Sequence, residues 1–201
     1  WKHRRQRQMC IRDRYVSRRG GTLLMLGGQE SFQPGLWENT PIGRVLPVYL
    51  DKIRNGPPSL EAAFNLTREG WLEPWMRLRS SKGEETNRLA YMTPFFAVNQ
   101  VSAIKPGASI LSTVIDSERR TFPAIITQRY GEGKSAAVTI ADFWRWGMKD
   151  PEQQQNLARS WRQLVRWAIN EVPSRVELEK EELNSGPLPL TKLSVRVQTK
   201  T

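Results

Sequence analysis

The run TLLMLGG, beginning at residue 22, is apolar without interruption, the pattern of a strand covered on both faces in a parallel sheet. Just ahead of it, YVSRRGG (15–21) reads as the end of a helix. Arg18 and Arg19 suit the negative end of the helix dipole, and Gly20 can take the left-handed position that closes it. From 108 to 142 the alternation turns β-like: ASILSTVID, FPAIITQRY and SAAVTIAD are three strand-forming runs separated by turn signals near 117–121 and 131–134. The period then changes. In DPEQQQNLARSWRQLVRWAIN the apolar positions Leu157, Trp161, Leu164, Val165 and Ala168 fall on one helical face, with Asp150 as N-cap and Pro151 as first helical residue.

Between these segments the pattern is sparser. Residues 33–60 are rich in Gly, Pro, Asn and Trp, with Thr40 and Pro41 predicting one short helix inside a long excursion. AAFNLT (62–67) predicts a strand, and REGWLEPWMRL places Trp71, Leu72, Trp75 and Met76 at helical spacing, as packing residues. SKGEETNRLAYM (81–92) predicts a surface helix. Beyond Pro173, SRVELEKEEL and LTKLSVRVQT alternate around a Gly-Pro turn region, which places a domain boundary near 172. The expected organisation is residues 1–14 as a non-native or disordered basic tail, 15–172 as one α/β domain, and 173–201 as the start of a β-sandwich-type domain or a linker.

A chain of 201 residues can bury a core without disulfides or metals. Its single cysteine, Cys10, excludes an internal disulfide, and its single histidine, His3, leaves no Cys/His cluster for zinc. The formal charge of +11 invites a nucleic-acid reading, but residues 1–20 hold eight basic residues against Asp13 alone, so +7 resides there and +4 in the other 181 residues. No aromatic platform accompanies this arm, which disfavours nucleic acid as a partner. MCIRDR (9–14) also resembles a translated sequencing-adapter string, which would remove Cys10 and His3 from the native chain. No apolar run approaches the roughly 20 residues of a membrane helix, and the first twenty residues lack the apolar core of a signal peptide.

Several local motifs fail on inspection. GEGKS (131–135) lacks the glycine a phosphate loop needs at position 128, which is Gln128, and precedes a strand where the loop requires a helix. SAIK (102–105) has the Ser-x-x-Lys spacing of serine acylases, but Pro106 pushes Lys105 out of helical geometry. Asp116, Glu118, Glu132 and Asp142 lack histidine partners, so no metal site and no cofactor is expected. ADFWRWGM (141–148) is more suggestive, because Asp142, Trp144 and Trp146 follow a strand end, where α/β folds place ligands. Strand alternation would send Trp144 and Trp146 to one side, Phe143 and Arg145 to the other, with packing under the following helix as their ordinary use.

Four segments, RRGGTLLMLGGQESFQPGLWENTPIGRVLPV, REGWLEPWMRL, QRYGEGKSAAVTIADFWRWGM and SWRQLVRWAINEVPSRVELE, cover most of residues 15–180 and together resemble the class I glutamine amidotransferase-like superfamily, in the branch found in large bacterial multidomain proteins. The resemblance implies a three-layer, flavodoxin-like α/β sheet without its first strands. It maps an oxyanion turn onto Gly27, Gly28, Gln29, Glu30 and Ser31, where backbone N–H groups would face developing negative charge. Active members also need a cysteine on a tight elbow and a later histidine with an acidic partner. Cys10 precedes the strand, His3 lies in the doubtful terminus, and Ser31 has no histidine to activate it, so no catalytic residue is assigned. The expectation is a non-catalytic module that binds a ligand or a neighbouring domain of its own parent protein, with Gly27–Ser31 as a vestigial turn and Asp142, Trp144 and Trp146 as a pocket rim. The alternative is an active amidase or amidotransferase whose nucleophile and base lie in a missing N-terminal part or on a partner chain. Family context adds membrane helices and von Willebrand factor A-type domains in the parent, hence a parent protein held at the cell membrane.

Overall fold

The computed structural model describes residues 14–51 and 61–169, and the two strands at 176–183 and 190–197. Cys10, His3 and the rest of the basic tail up to residue 13 lie outside the described residues. The chain divides into two compact units between residues 171 and 172.

In the first unit a five-stranded mixed sheet has the order β1-β7-β6-β5-β3, where β1 is Thr22–Leu26, β3 Ala63–Leu66, β5 Ala108–Ile115, β6 Thr121–Tyr130 and β7 Gly133–Val138. β1 runs parallel to β7, and every other neighbouring pair is antiparallel. Two further strands, β2 (Val48–Tyr49) and β4 (Ala103–Ile104), form a small ribbon of their own. The Ser-x-x-Lys segment thus lies in extended backbone, which keeps Ser102 and Lys105 off a common helical face.

Alternation along the strands sends side chains into two cores. Leu24, Val114, Ile125 and Val138 enter the larger, with Leu157 and Trp161 packed against it. Leu23, Met25, Ile126 and Ala137 enter the smaller, with Phe32, Leu46 and Val48. Both faces of the sheet are therefore covered, yet β1 itself is only half-buried, because it stands at the sheet edge among the described residues.

Four helices follow their local signals. α1 (Pro41–Val45) starts at Thr40, whose hydroxyl accepts from Gly43 N–H at 3.1 Å. α2 (Arg68–Leu72) starts at Thr67, whose hydroxyl both accepts from Gly70 N–H and donates to Ile110 O, beside a β-bulge in β5. The helical spacing of REGWLEPWMRL does not give one helix. α2 stops at Glu73, and Pro74–Met76 forms a separate 3₁₀ turn, since the residue before proline is driven to extended backbone. α3 (Lys82–Tyr91) is capped by Ser81, and α4 (Pro151–Ile169) by Asp150, whose carboxylate accepts from Gln153 N–H at 2.8 Å.

α3 is not simply a surface helix. Glu85 is fully buried, accepts from Leu78 N–H and Arg79 N–H, and pairs with the buried Arg88, which lies 5.3 Å from the Trp146 ring. GEGKS forms the β6–β7 turn: Gly131 has φ +61°, and Lys134 is buried with Nζ donating to Trp167 O. In the second unit, β8 (Val176–Leu183) and β9 (Leu190–Val197) form an antiparallel hairpin.

Candidate functional site

Because β1 and β7 are parallel, their carboxyl ends lie together, and the residues that leave them meet. The backbone after β7 passes so close to Gly27 that a β-carbon there would sit 2.6 Å from the Ile140 carbonyl carbon and oxygen. The 95–99 segment runs antiparallel across this junction: Ala141 N–H donates to Ala97 O, and Asn99 N–H to Thr139 O. Asn99 then reaches β1, accepting from Gly28 N–H at 2.8 Å and donating to Gly28 O at 3.0 Å. The N–H of Gly28, one of the groups assigned to an oxyanion turn, is thus directed at a side chain of the protein.

The rest of that turn is closed locally. Ser31 N–H donates to Gly28 O, and Trp37 Nε1 donates to Glu30 O at 2.9 Å. Phe32 is fully buried with φ +57°, which fixes how the chain leaves the turn. Gln29 and Glu30 are both exposed, on the outside of this closed turn.

On the β7 side, Asp142 is buried and its two carboxylate oxygens accept from Phe96 N–H at 2.9 Å and Ala97 N–H at 3.2 Å. Arg145 Nε stands 3.6 Å from the same carboxylate, and its guanidinium lies 4.6 Å from the Phe96 ring. The next residues, Phe143–Met148, form a 3₁₀ helix, and this separates the two tryptophans expected on one side. With three residues per turn, Phe143 and Trp146 share the inner face and Trp144 points out. Trp146 is 2% exposed and donates to the buried Gln153 at 2.6 Å, whereas Trp144 is 57% exposed. Trp146 is therefore a core residue, and of the expected rim only Trp144 reaches solvent.

Trp144 walls an open crevice of about 470 Å³ together with Thr93, Pro94, Arg145, Met148 and Lys149. Lys149 donates to Tyr91 O and sits against the Tyr91 ring at 3.4 Å from its centroid. Each cation is thus held over an aromatic ring at the crevice margin, beside the exposed Tyr91, Phe96 and Met148. Thr93, Pro94, Asn99 and Lys149 carry no motif that could have nominated them, since only tertiary folding brings them to the strand ends. A second, enclosed cavity of about 30 Å³ lies in the larger core, among Trp75, Arg88, Phe143, Trp146, Ser160 and Trp161. Among the described residues, no three His, Cys, Asp or Glu side chains gather as a metal-ligand set. No helix among them is long and apolar enough to cross a membrane.

The fold is that of a mixed α/β domain, and solved structures share it. Cytoplasmic Protein STM1381 from Salmonella typhimurium LT2 matches with a TM-score of 0.57 and 20% identity over 80% of this chain and 60% of its own. Cytoplasmic Protein STM3548 from Salmonella typhimurium matches with a TM-score of 0.56 and 21% identity, over 80% of this chain and 59% of its own. Exo-beta-1,4-mannosidase Op5Man5 from Opitutaceae bacterium strain TAV5 overlaps at a TM-score of 0.42 and 19% identity, over 81% of this chain and 23% of its own. The chain spans about 60% of the length of the two Salmonella proteins. No family model and no curated protein matches the chain.

These likenesses correct the resemblance to class I glutamine amidotransferases, since the structural neighbours are of a different family and the amidotransferase assignment falls with them. The Gly-Gly turn that carried the resemblance is accounted for by the crossing of 140–141 over Gly27 and by the Asn99 clamp on Gly28.

Proposed function

We propose that the first unit is a non-catalytic binding module of a three-layer, flavodoxin-like kind, whose ligand or partner domain docks at the carboxyl ends of β1 and β7. The observation that carries this is Trp144, 57% exposed on the wall of a crevice of about 470 Å³ between Arg145 and Lys149. Volumes of roughly 300–1,000 Å³ are typical of ligand sites, and an exposed indole between two cations is an unusual use of surface. The chemistry fits a flat or apolar body laid on Trp144 with a carboxylate directed at Lys149 and the outer guanidinium nitrogens of Arg145. Such a ligand could be a free small molecule or an acidic segment of a neighbouring domain of the parent protein. Gly27, Gly28 and Ser31 serve this face by fixing the strand ends, and Asp142 by holding Arg145 and the 95–97 backbone. The described residues contain no cysteine and no histidine, so a thiolate or imidazole mechanism has no protein group there to run it.

Two measurements test this reading. Indole-3-acetate and its amide are titrated while the indole N–H signals are followed by NMR. The expected result is saturable movement of the Trp144 signal, weaker for the amide and lost in Trp144→Ala, with Trp146 unmoved. Incubation with fluorophosphonate and chloroacetamide probes, read by peptide mass spectrometry, should give no adduct beyond residue 14. A stoichiometric adduct there would overturn the non-catalytic assignment.

A further inference from the structure

The enclosed cavity of about 30 Å³ in the larger core has mostly apolar walls, but three of its lining residues bring hydrogen-bonding groups to it: Trp75, Arg88 and Ser160. Arg88 is the most informative. Its side chain is 5% exposed, and Nε and Nη2 both donate to one oxygen of Glu85. The other oxygen of Glu85 accepts from the Leu78 and Arg79 N–H groups, so the four acceptor positions of the carboxylate are filled. Nη1 is left with the Met92 sulfur at 4.0 Å, a weak acceptor.

Trp75 repeats the pattern. Its ring stacks on Trp167, and its Nε1 is buried without a hydrogen-bond partner in the protein. A buried N–H donor without an acceptor is costly, and interiors ordinarily satisfy it, with water where no protein group reaches. Two such donors belong to lining residues of one cavity, and the size of the cavity selects what can serve both. Its volume of about 30 Å³ matches the share of one molecule in liquid water, and an internal water needs roughly two to four polar partners. An anion has no charge to meet there, because Glu85 already neutralises Arg88. An apolar guest would leave both donors as they are.

We infer that this cavity is a binding site for one ordered water molecule, which accepts from Arg88 Nη1–H and Trp75 Nε1–H and donates to Ser160 Oγ. The seam between residues 74–79 and α4 supplies a polar route inward. Across it Arg79 donates to Asn156 and Gln163 donates to Arg77 O. Arg77 Nε, Asn156 Nδ2 and Gln163 Oε1 are buried along the same seam without a further protein partner, so entering water need not cross the apolar core. The bound water completes the polar shell of the Glu85–Arg88 pair, which lets a full ion pair stand in the core beside Trp146. The site lies in the interior and is independent of the crevice reading.

The test uses the full chain, with water-selective laboratory-frame and rotating-frame NOE spectra read at the indole N–H signals. Trp75 Nε1–H is assigned by its disappearance in Trp75→Phe. The expected result is a water cross-peak at Trp75 Nε1–H whose sign inverts between the two spectra, the mark of a held water, since proton exchange with solvent keeps its sign. Oxygen-17 relaxation dispersion should then count one long-lived water fewer in Ser160→Val, which loses the hydroxyl and adds bulk to the cavity wall. Unchanged amide protection in β5, β6 and β7 shows that this variant has folded; if it has not, the cross-peak in the parent protein decides alone. No inverting cross-peak at Trp75 would overturn the inference, and xenon-induced shifts of the Ile125, Val138 and Leu164 methyl groups would then assign the cavity as dry and apolar. An unchanged water count in folded Ser160→Val would also overturn it, by placing the water outside this cavity.

Discussion

Asp142 holds two backbone amides and a guanidinium at once, so its carboxylate organises the end of β7 more than it presents charge to a ligand. Replacing it with alanine leaves the Phe96 and Ala97 N–H groups without their acceptor. The expected loss is about 2 kcal/mol, the scale for hydrogen bonds to a charged group, read as a lowered urea midpoint with unchanged slope. The two tryptophans two and four residues downstream separate cleanly under the same assay. Trp146→Ala removes a fully enclosed indole and strands Gln153, at a cost of about 3–5 kcal/mol. Trp144→Ala, on the exposed side of the 3₁₀ turn, should stay within about 0.5 kcal/mol of the parent while abolishing indole-3-acetate binding. Equal costs at the two positions would restore the strand-like alternation that the sequence alone suggested.

At the scale of elements, what the pattern made legible was whatever local chemistry decides. Thr40 and Asp150 cap the helices they were expected to cap, and the turn at Gly131 joins β6 to β7. The failures have physical causes of another kind. Phe143–Met148 follows a strand-like run, and nothing in its composition announces a period of three in place of two. Glu85 and Arg88 sit on a helix that reads as polar, yet they neutralise each other in the core, a pairing visible only once Leu78, Arg79 and Trp146 surround them. Asn99, which clamps Gly28, lies 71 residues away in sequence, and no spacing rule reaches that far. Lys105 is a similar case: its Nζ reaches the Gly43 and Arg44 carbonyls, at 2.7 and 2.8 Å, near the end of α1. Burial pushes its ammonium below the ordinary lysine value of 10.5. A lysine whose folded pKa is lowered binds fewer protons than in the unfolded chain between the two values, so its contribution to stability rises with pH across that window. The slope of unfolding free energy against pH, approaching 10.5 from below, should therefore be more positive in the parent than in Lys105→Met. An identical slope would show that burial does not perturb this group.

At the scale of the molecule, the sheet is the common wall of two cores, and β1 is the strand they hold least. It is tied to β7 along its length, to the helix end through Thr22 Oγ1 donating to Ala168 O, and at its carboxyl end through Gly27 and Gly28. The two glycines do different work. A methyl group at Gly27 would overlap the Ile140–Ala141 backbone at 2.6–2.7 Å, and that backbone is pinned on its far side to 97–99. A methyl group at Gly28 meets only the Ser31 hydroxyl at 3.3 Å, and neither glycine has a positive φ that would make alanine costly by itself. Gly27→Ala should thus cost about 1–3 kcal/mol as overpacking against fixed backbone, and Gly28→Ala a few tenths at most. The distribution of the loss matters more than its size. With β1 as the last strand docked, amide exchange in Gly27→Ala should quicken at residues 22–28 and at Asn99 while the β5–β6–β7 meander keeps its protection. Uniform acceleration through β5, β6 and β7 would instead make β1 part of the cooperative centre of the sheet, and the strand ends that bear the crevice would then be as rigid as the core beneath them.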